Sequence, residues 1–152
     1  MSLESVKEFF ASHAPDIEVI EMPTSTATVI QAAEAHGVEP AQIAKTLSLA
    51  TKDQTILLVT RGDARLDNRK FKDLFGTKPR MLDPEKVLAE TSHPIGGVCP
   101  FGLPNPIPVY CDISLKDFTE VVPAAGATNS AVRICPERLA KLVTAEWIDV
   151  CK

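Results

Sequence analysis

Apolar positions recur with two different periods along this chain, and the switches between them divide it into helices and strands. Leu3, Val6, Phe9 and Phe10 lie at helical spacing behind Ser2, a candidate N-cap. They predict a helix to about His13, ended by Ala14-Pro15. Ile17 to Met22 alternates as a strand does. Pro23-Thr24-Ser25-Thr26 reads as a turn and cap before a helix carrying Val29, Ile30 and Ala33, which Gly37 closes. Pro40 to Ile43 predicts a short helical turn. Lys45 to Ala50 and Thr55 to Thr60 are strands, joined as a hairpin through Thr51-Lys52-Asp53-Gln54.

The second half repeats the alternation less regularly. Asp67 to Phe75 predicts a helix with Gly76 beyond it, because Phe71, Leu74 and Phe75 share one face. Pro84 to Glu90 is a short helix with proline in its first turn. Pro104 to Pro108 is an extended connection. Strands are expected at Val109–Ile113, Phe118–Val122, Ser130–Ile134 and Glu146–Cys151. Pro136 opens a helix carrying Leu139, Leu142 and Val143. Helices and strands intermingle without a βαβ rhythm, which predicts an α+β chain with a mixed sheet and not a dinucleotide-binding fold.

Composition sets outer limits. At 152 residues, 45% hydrophobic and 24% charged, the chain fits one globular domain with a substantial core, residues 1–152. No apolar run approaches the roughly 20 residues a membrane helix needs. The N-terminus has neither the basic nor the apolar region of a secretory signal, so a cytoplasmic location and no membrane partner are expected. The four cysteines, Cys99, Cys111, Cys135 and Cys151, form no CxxC or Cys/His cluster, so no metal and no other cofactor is expected.

Charge changes the picture through its distribution. The net charge is −4, yet Arg61 to Lys86 holds eight basic residues against five acidic ones. A local positive patch matters more for phosphate binding than the total does. Arg65, Arg69 and Lys72 fall on the polar side of the Phe71 helix if that helix extends back to Arg65. They form either a solvated face or a docking surface for a phosphate backbone.

The candidate chemistry centres on Ile95-Gly96-Gly97-Val98-Cys99-Pro100-Phe101-Gly102. Glycines permit positive φ and close approach of the backbone to a ligand. Such a loop either turns the chain tightly or presents N–H groups to a ligand oxygen, as an oxyanion hole does. Upstream stands Gln42-Ile43-Ala44-Lys45-Thr46-Leu47-Ser48-Leu49, with a lysine entering a strand. Downstream stands Ala125-Gly126-Ala127-Thr128-Asn129-Ser130-Ala131-Val132-Arg133-Ile134, a small-residue turn before another strand.

In this order the three segments resemble the YbaK/EbsC family of aminoacyl-tRNA deacylases, relatives of the editing insertion domain of bacterial prolyl-tRNA synthetases. The pattern is K-T-L, then G-G-x-x-P-x-G, then a glycine turn, and the resemblance spans about Val6 to Val150. It implies a single α+β domain with a mixed, mostly antiparallel sheet or partial barrel flanked by helices. It also implies trans-editing: hydrolysis of a mischarged aminoacyl-tRNA at its acceptor end, with tRNA-Pro bearing a small non-cognate amino acid as the expected substrate. The resemblance makes Lys45, Gly96 and Gly97 the catalytic set. It places Thr46, Val98, Cys99, Pro100, Phe101, Gly102 and Gly126 around the substrate. Lys45 would hold the terminal phosphate or polarise the ester carbonyl. The route implied is substrate-assisted, with the neighbouring ribose hydroxyl orienting water.

Alternatives stand beside these assignments. Phe101 is a pocket floor, a stacking partner for the terminal adenine, or a core aromatic. Cys99 is an inert thiol or the nucleophile of a cysteine-dependent hydrolase. His93, just outside the motif, is a possible general base. The same pocket and patch would also suit a non-catalytic module for nucleotides or nucleic acid. A complex with prolyl-tRNA synthetase and a homodimer are both compatible with the sequence.

Overall fold

The computed structural model describes residues 2–152. A long hairpin, β2 (Ile43–Ala50) and β3 (Thr55–Arg61), organises the rest, with seven antiparallel residue pairs from Ala44↔Arg61 to Ala50↔Thr55. Thr51 closes its turn by donating N–H to Gln54 O at 2.9 Å. Residues 56–60 of β3 are buried, and the apolar run Ile56–Val59 is what a strand covered on both faces requires.

Side-chain alternation along the hairpin feeds two cores. Ala44, Leu57 and Val59 pack with Val6 and Phe10 of α1 (Ser2–His13) and Leu139 of α5 (Pro136–Leu142). Leu49, Ile56 and Leu58 face the other way, onto Phe71 of α3 (Asn68–Phe75). A third, smaller cluster joins Ala32 and Ala33 of α2 (Val29–His36) to Ile43, Val122 and Ala131. Thr28 caps α2 by accepting from Gln31 N–H, and Gly37 ends it in the left-handed region, as its position predicted.

The sheet is mixed and open. Its order is β4 (Arg80–Met81), β2, β3, β5 (Val109–Asp112), β8 (Glu146–Ile148), with β6 (Val122–Pro123) also on β2. β2 pairs antiparallel with β3 and β4; the β2–β6, β3–β5 and β5–β8 pairings are parallel. Antiparallel pairing carries the long ladder, and each parallel pairing is two or three residues. A separate pair joins β1 (Ile20–Glu21) to β7 (Ser130–Ala131). The α+β class and mixed sheet are as expected, and the sheet does not close into a barrel.

Several strands are shorter than their sequence patterns. Ile17–Met22 contributes only β1. Phe118–Val122 is mostly not strand: Asp112 accepts from Ser114 N–H and starts a 3-10 turn at Ile113–Asp117, which ends at Phe118. Pro123 then has no N–H with which to extend the ladder. Of Glu146–Cys151, only the first three residues pair with β5; Cys151 instead bridges Leu66. α4 (Pro84–Thr91) follows expectation. α3 does not reach back to Arg65, because the Asp67 side chain accepts from Arg69 and Lys70 N–H and fixes the helix start there.

Candidate active site

The outer edge of β2 is only partly used. Ile43 and Ala44 pair with β6, and Leu49 and Ala50 pair with β4. Between them, Lys45, Thr46 and Ser48 line a cleft of about 230 Å³. The start of α2, α4 with the segment before it, and the first part of the glycine loop complete its walls. Ser48 O accepts from Leu82 N–H at 3.1 Å, so the polar backbone of Ser48 faces away from β3. By the two-residue period of a strand, that of Thr46 does the same and faces the cleft.

Lys45 is the only charged residue lining the cleft among the described residues. It is half-buried, and its Nζ donates to Ala64 O at 2.6 Å. Burial holds its pKa below the ordinary lysine value; Cys151 and Asp63 oppose that shift and Arg65 adds to it. The ammonium is therefore held against the loop that carries Arg65.

The glycine loop divides into two parts. Gly96 and Val98 line the cleft with Ile95. Gly96 has φ +90°, and a Cβ there would meet Ala27 Cβ at 2.7 Å. Neither Gly96 nor Val98 spends its N–H on another backbone group among the described residues. Gly97 does: its N–H donates to Pro94 O at 2.9 Å, and its carbonyl accepts from Gly126 N–H at 3.1 Å. An oxyanion donor at Gly97 is thus replaced by a turn contact.

The rest of the loop turns inward. Cys99, Pro100 and Phe101 are buried and none of them lines the cleft. Phe101 is a core aromatic, its ring 4.7 Å from that of Phe10, so it neither floors the pocket nor reaches an adenine. Gly102 and Gly126 lie against α1: a Cβ on Gly102 would sit 2.7 Å from Ser5 O, and one on Gly126 2.8 Å from Ser2 O. Both glycines serve close backbone packing behind the cleft.

Cys99 and His93 meet in this interior, with Sγ 3.4 Å from Nε2. The pair is not built as a nucleophile and base. His93 Nε2 donates to Phe101 O at 2.9 Å, so that nitrogen carries the proton and has no lone pair to accept one from the thiol. Nδ1 faces the Ser2 hydroxyl. Burial lowers the imidazole pKa, partly offset by the Phe101 carbonyl. Burial also pushes the Cys99 thiol up to about 12. His93 is a structural tie between α1 and the loop.

Thr46 lies in the cleft as expected. Ser48, two residues on and facing the same way, was not singled out from sequence. Its signal was there: two polar residues at strand period within an otherwise apolar run. Their Oγ atoms are both buried and both lack a hydrogen-bond partner among the described residues.

Arg65, Arg69 and Lys72 are exposed and make no ion pair among the described residues. Arg69 and Lys72 share a face of α3 at i, i+3, while Arg65 lies in the loop before it. Their neighbours are engaged: Lys70 with Asp149, and Arg61 with Asp63 and Asp117.

Residues 24–142, the span that builds this cleft, match the aminoacyl-tRNA editing domain. The chain belongs to that family. Fifty per cent of its residues are identical over 154 aligned positions to YwhH of Bacillus subtilis, an uncharacterized protein, covering 100% of this chain and 98% of YwhH. Proline–tRNA ligase of Solidesulfovibrio magneticus is 35% identical over 105 residues, 68% of this chain but 18% of the ligase. A solved structure described as a candidate trans-editing enzyme for prolyl tRNA synthetase superposes with a TM-score of 0.91 at 34% identity. That superposition covers 99% of this chain and 97% of the other. As an editing domain, the chain is an aminoacyl-tRNA deacylase by class. No helix among the described residues is long and apolar enough to cross a membrane.

Proposed function

We propose that the β2-edge cleft holds the aminoacylated 3′ end of a mischarged tRNA, with tRNA-Pro bearing a small non-cognate amino acid as substrate. Residues 1–152 act as one editing domain. The observation that carries this reading is the pairing of Lys45 with the Gly96–Val98 backbone around one cleft that contains no carboxylate, histidine or cysteine among its described lining residues. Such a site can bind and polarise an ester, but no histidine or carboxylate among its described lining residues is there to activate its serine and threonine hydroxyls.

The chemistry suited to it is direct attack by water on the ester carbonyl. The tetrahedral oxyanion is stabilised by the N–H groups of Gly96 and Val98, each worth a few kcal/mol in a water-poor site. Lys45 adds positive charge, at the carbonyl or at the terminal phosphate. The acyl C–O bond then breaks and the ribose 3′ oxygen leaves with a proton. The adjacent 2′ hydroxyl positions the water, so the substrate supplies the group that the protein lacks. Synthetases discriminate poorly against small or near-isosteric side chains, and a separate hydrolytic site is the physical remedy.

The test is single-turnover deacylation of mischarged tRNA-Pro with either a 2′-hydroxyl or a 2′-deoxy terminal adenosine. Hydrolysis is expected only with the hydroxyl present. Equal rates on both substrates would remove the substrate-assisted step.

A further inference from the structure

We infer that Thr46 and Ser48 make this cleft selective for an amino acid whose side chain carries a hydroxyl, so that seryl esters are preferred to alanyl ones. The inference rests on the deacylase reading above and specifies its substrate. Buried hydroxyls in folded proteins almost always find partners, and one without any calls for a water or a ligand group. Here two occur together, Thr46 Oγ1 and Ser48 Oγ, on one face of one strand and in the wall of one cleft. Ser48 is only 3% exposed.

Much of the surrounding wall is apolar, including Val29, Ala32, Ile43, Val87 and Val122. In such a setting a hydroxyl pair fixes the orientation of whatever polar group enters. The group is not the α-ammonium. No carboxylate lines the cleft among the described residues, and its one charged side chain is a lysine. A cation drawn between the two hydroxyls would be desolvated without compensation. Ser48 lies three residues along β2 from Lys45, roughly 10 Å at strand rise, and the odd separation turns their side chains to opposite faces of the strand. If Lys45 holds the ester or phosphate, the hydroxyl pair holds a different part of the ligand. A neutral donor-and-acceptor group on a short side chain fits both observations.

A site built to bond a hydroxyl discriminates against an analogue lacking it, because its own polar groups are then left unpaired. The test measures kcat/KM for seryl-, threonyl-, cysteinyl- and alanyl-tRNA-Pro with the intact chain and with Ser48→Ala and Thr46→Val. The intact chain should favour seryl over alanyl by roughly ten- to a hundredfold, the scale of a buried hydrogen bond left unmade. Each variant should bring that ratio towards one. Circular dichroism and thermal melting confirm that the variants are folded. An alanyl or cysteinyl ester cleaved as fast as the seryl one by the intact chain would overturn the inference and leave deacylation standing. So would an unchanged seryl-to-alanyl ratio in both folded variants. Failure to hydrolyse any of the four would overturn the deacylase reading, and this inference with it.

Discussion

Gly97 and Ala127 pack backbone against backbone: a Cβ built on Gly97 would lie 2.9 Å from both N and C of Ala127. The neighbouring Gly126 N–H donates to Gly97 O, so the two turns are joined by packing and by a hydrogen bond. Through Gly97 the loop that supplies Gly96 and Val98 is fixed in place. Gly97→Ala should therefore destabilise the fold by about 1–3 kcal/mol, the usual cost of overpacking. Activity should fall with it, through displacement of Gly96 and Val98. Denaturant melts alongside deacylation rates check this. A fully stable but inactive variant would instead restore a direct catalytic role for Gly97.

Cys99→Ser is expected to retain substantial deacylation. Burial pushes the thiol pKa up to about 12, which disfavours the thiolate at neutral pH. The nearby imidazole already has its Nε2 proton committed to Phe101 O. A drop of about a thousandfold or more, with the fold intact, would make Cys99 the reacting group.

Lys45→Met should lower kcat/KM by roughly 10²–10³, the scale of removing one charge-stabilising interaction. Stability should change by about 1 kcal/mol or less, since removal of the hydrogen bond to Ala64 O is offset by relief of a desolvated charge. The pH profile gives a second check. Burial lowers the pKa of this lysine, so the active ammonium form is lost as pH rises, and sooner than at an unperturbed lysine. After subtraction of spontaneous ester hydrolysis, the intact chain should decline on the alkaline side, while Lys45→Met should show no such decline. Near-normal turnover by the variant would sink the assignment.

The long elements were legible because local chemistry and burial agree there. Thr28, Asp67 and Asp83 cap helices with their side chains, and Gly37 and Gly76 end two of them. β2 and β3 are buried enough to leave an apolar run. β4 was not legible: Arg80 and Met81 are both exposed, so no alternation marks it. At the site, Lys45, Thr46, Gly96 and Val98, singled out from sequence, line one cleft. Phe101, Gly102 and Gly126 stood in the same motifs but serve packing against α1. A glycine that admits a ligand and a glycine that admits a neighbouring backbone have the same sequence signature; only the tertiary surroundings separate them. Ser48 stands at strand period from Thr46 in the sequence, but that its hydroxyl is buried without a partner is visible only in the structure.

The last expectation concerns the cations outside the cleft. Arg65, Arg69 and Lys72 are exposed and without ion-pair partners among the described residues, unlike Lys70 and Arg61 beside them. Arg65 is also close enough to act on the charge of Lys45. Reversing all three charges to glutamate should weaken tRNA binding. It should also flatten the dependence of log K on log salt, by up to about 0.7–0.9 for each phosphate no longer neutralised. Hydrolysis of a minimal aminoacylated oligonucleotide should survive, because none of the three side chains lines the cleft. Binding curves at several salt concentrations decide between the two roles. An unchanged affinity and slope would make the cluster a solvated helix face and require the tRNA to approach from another side.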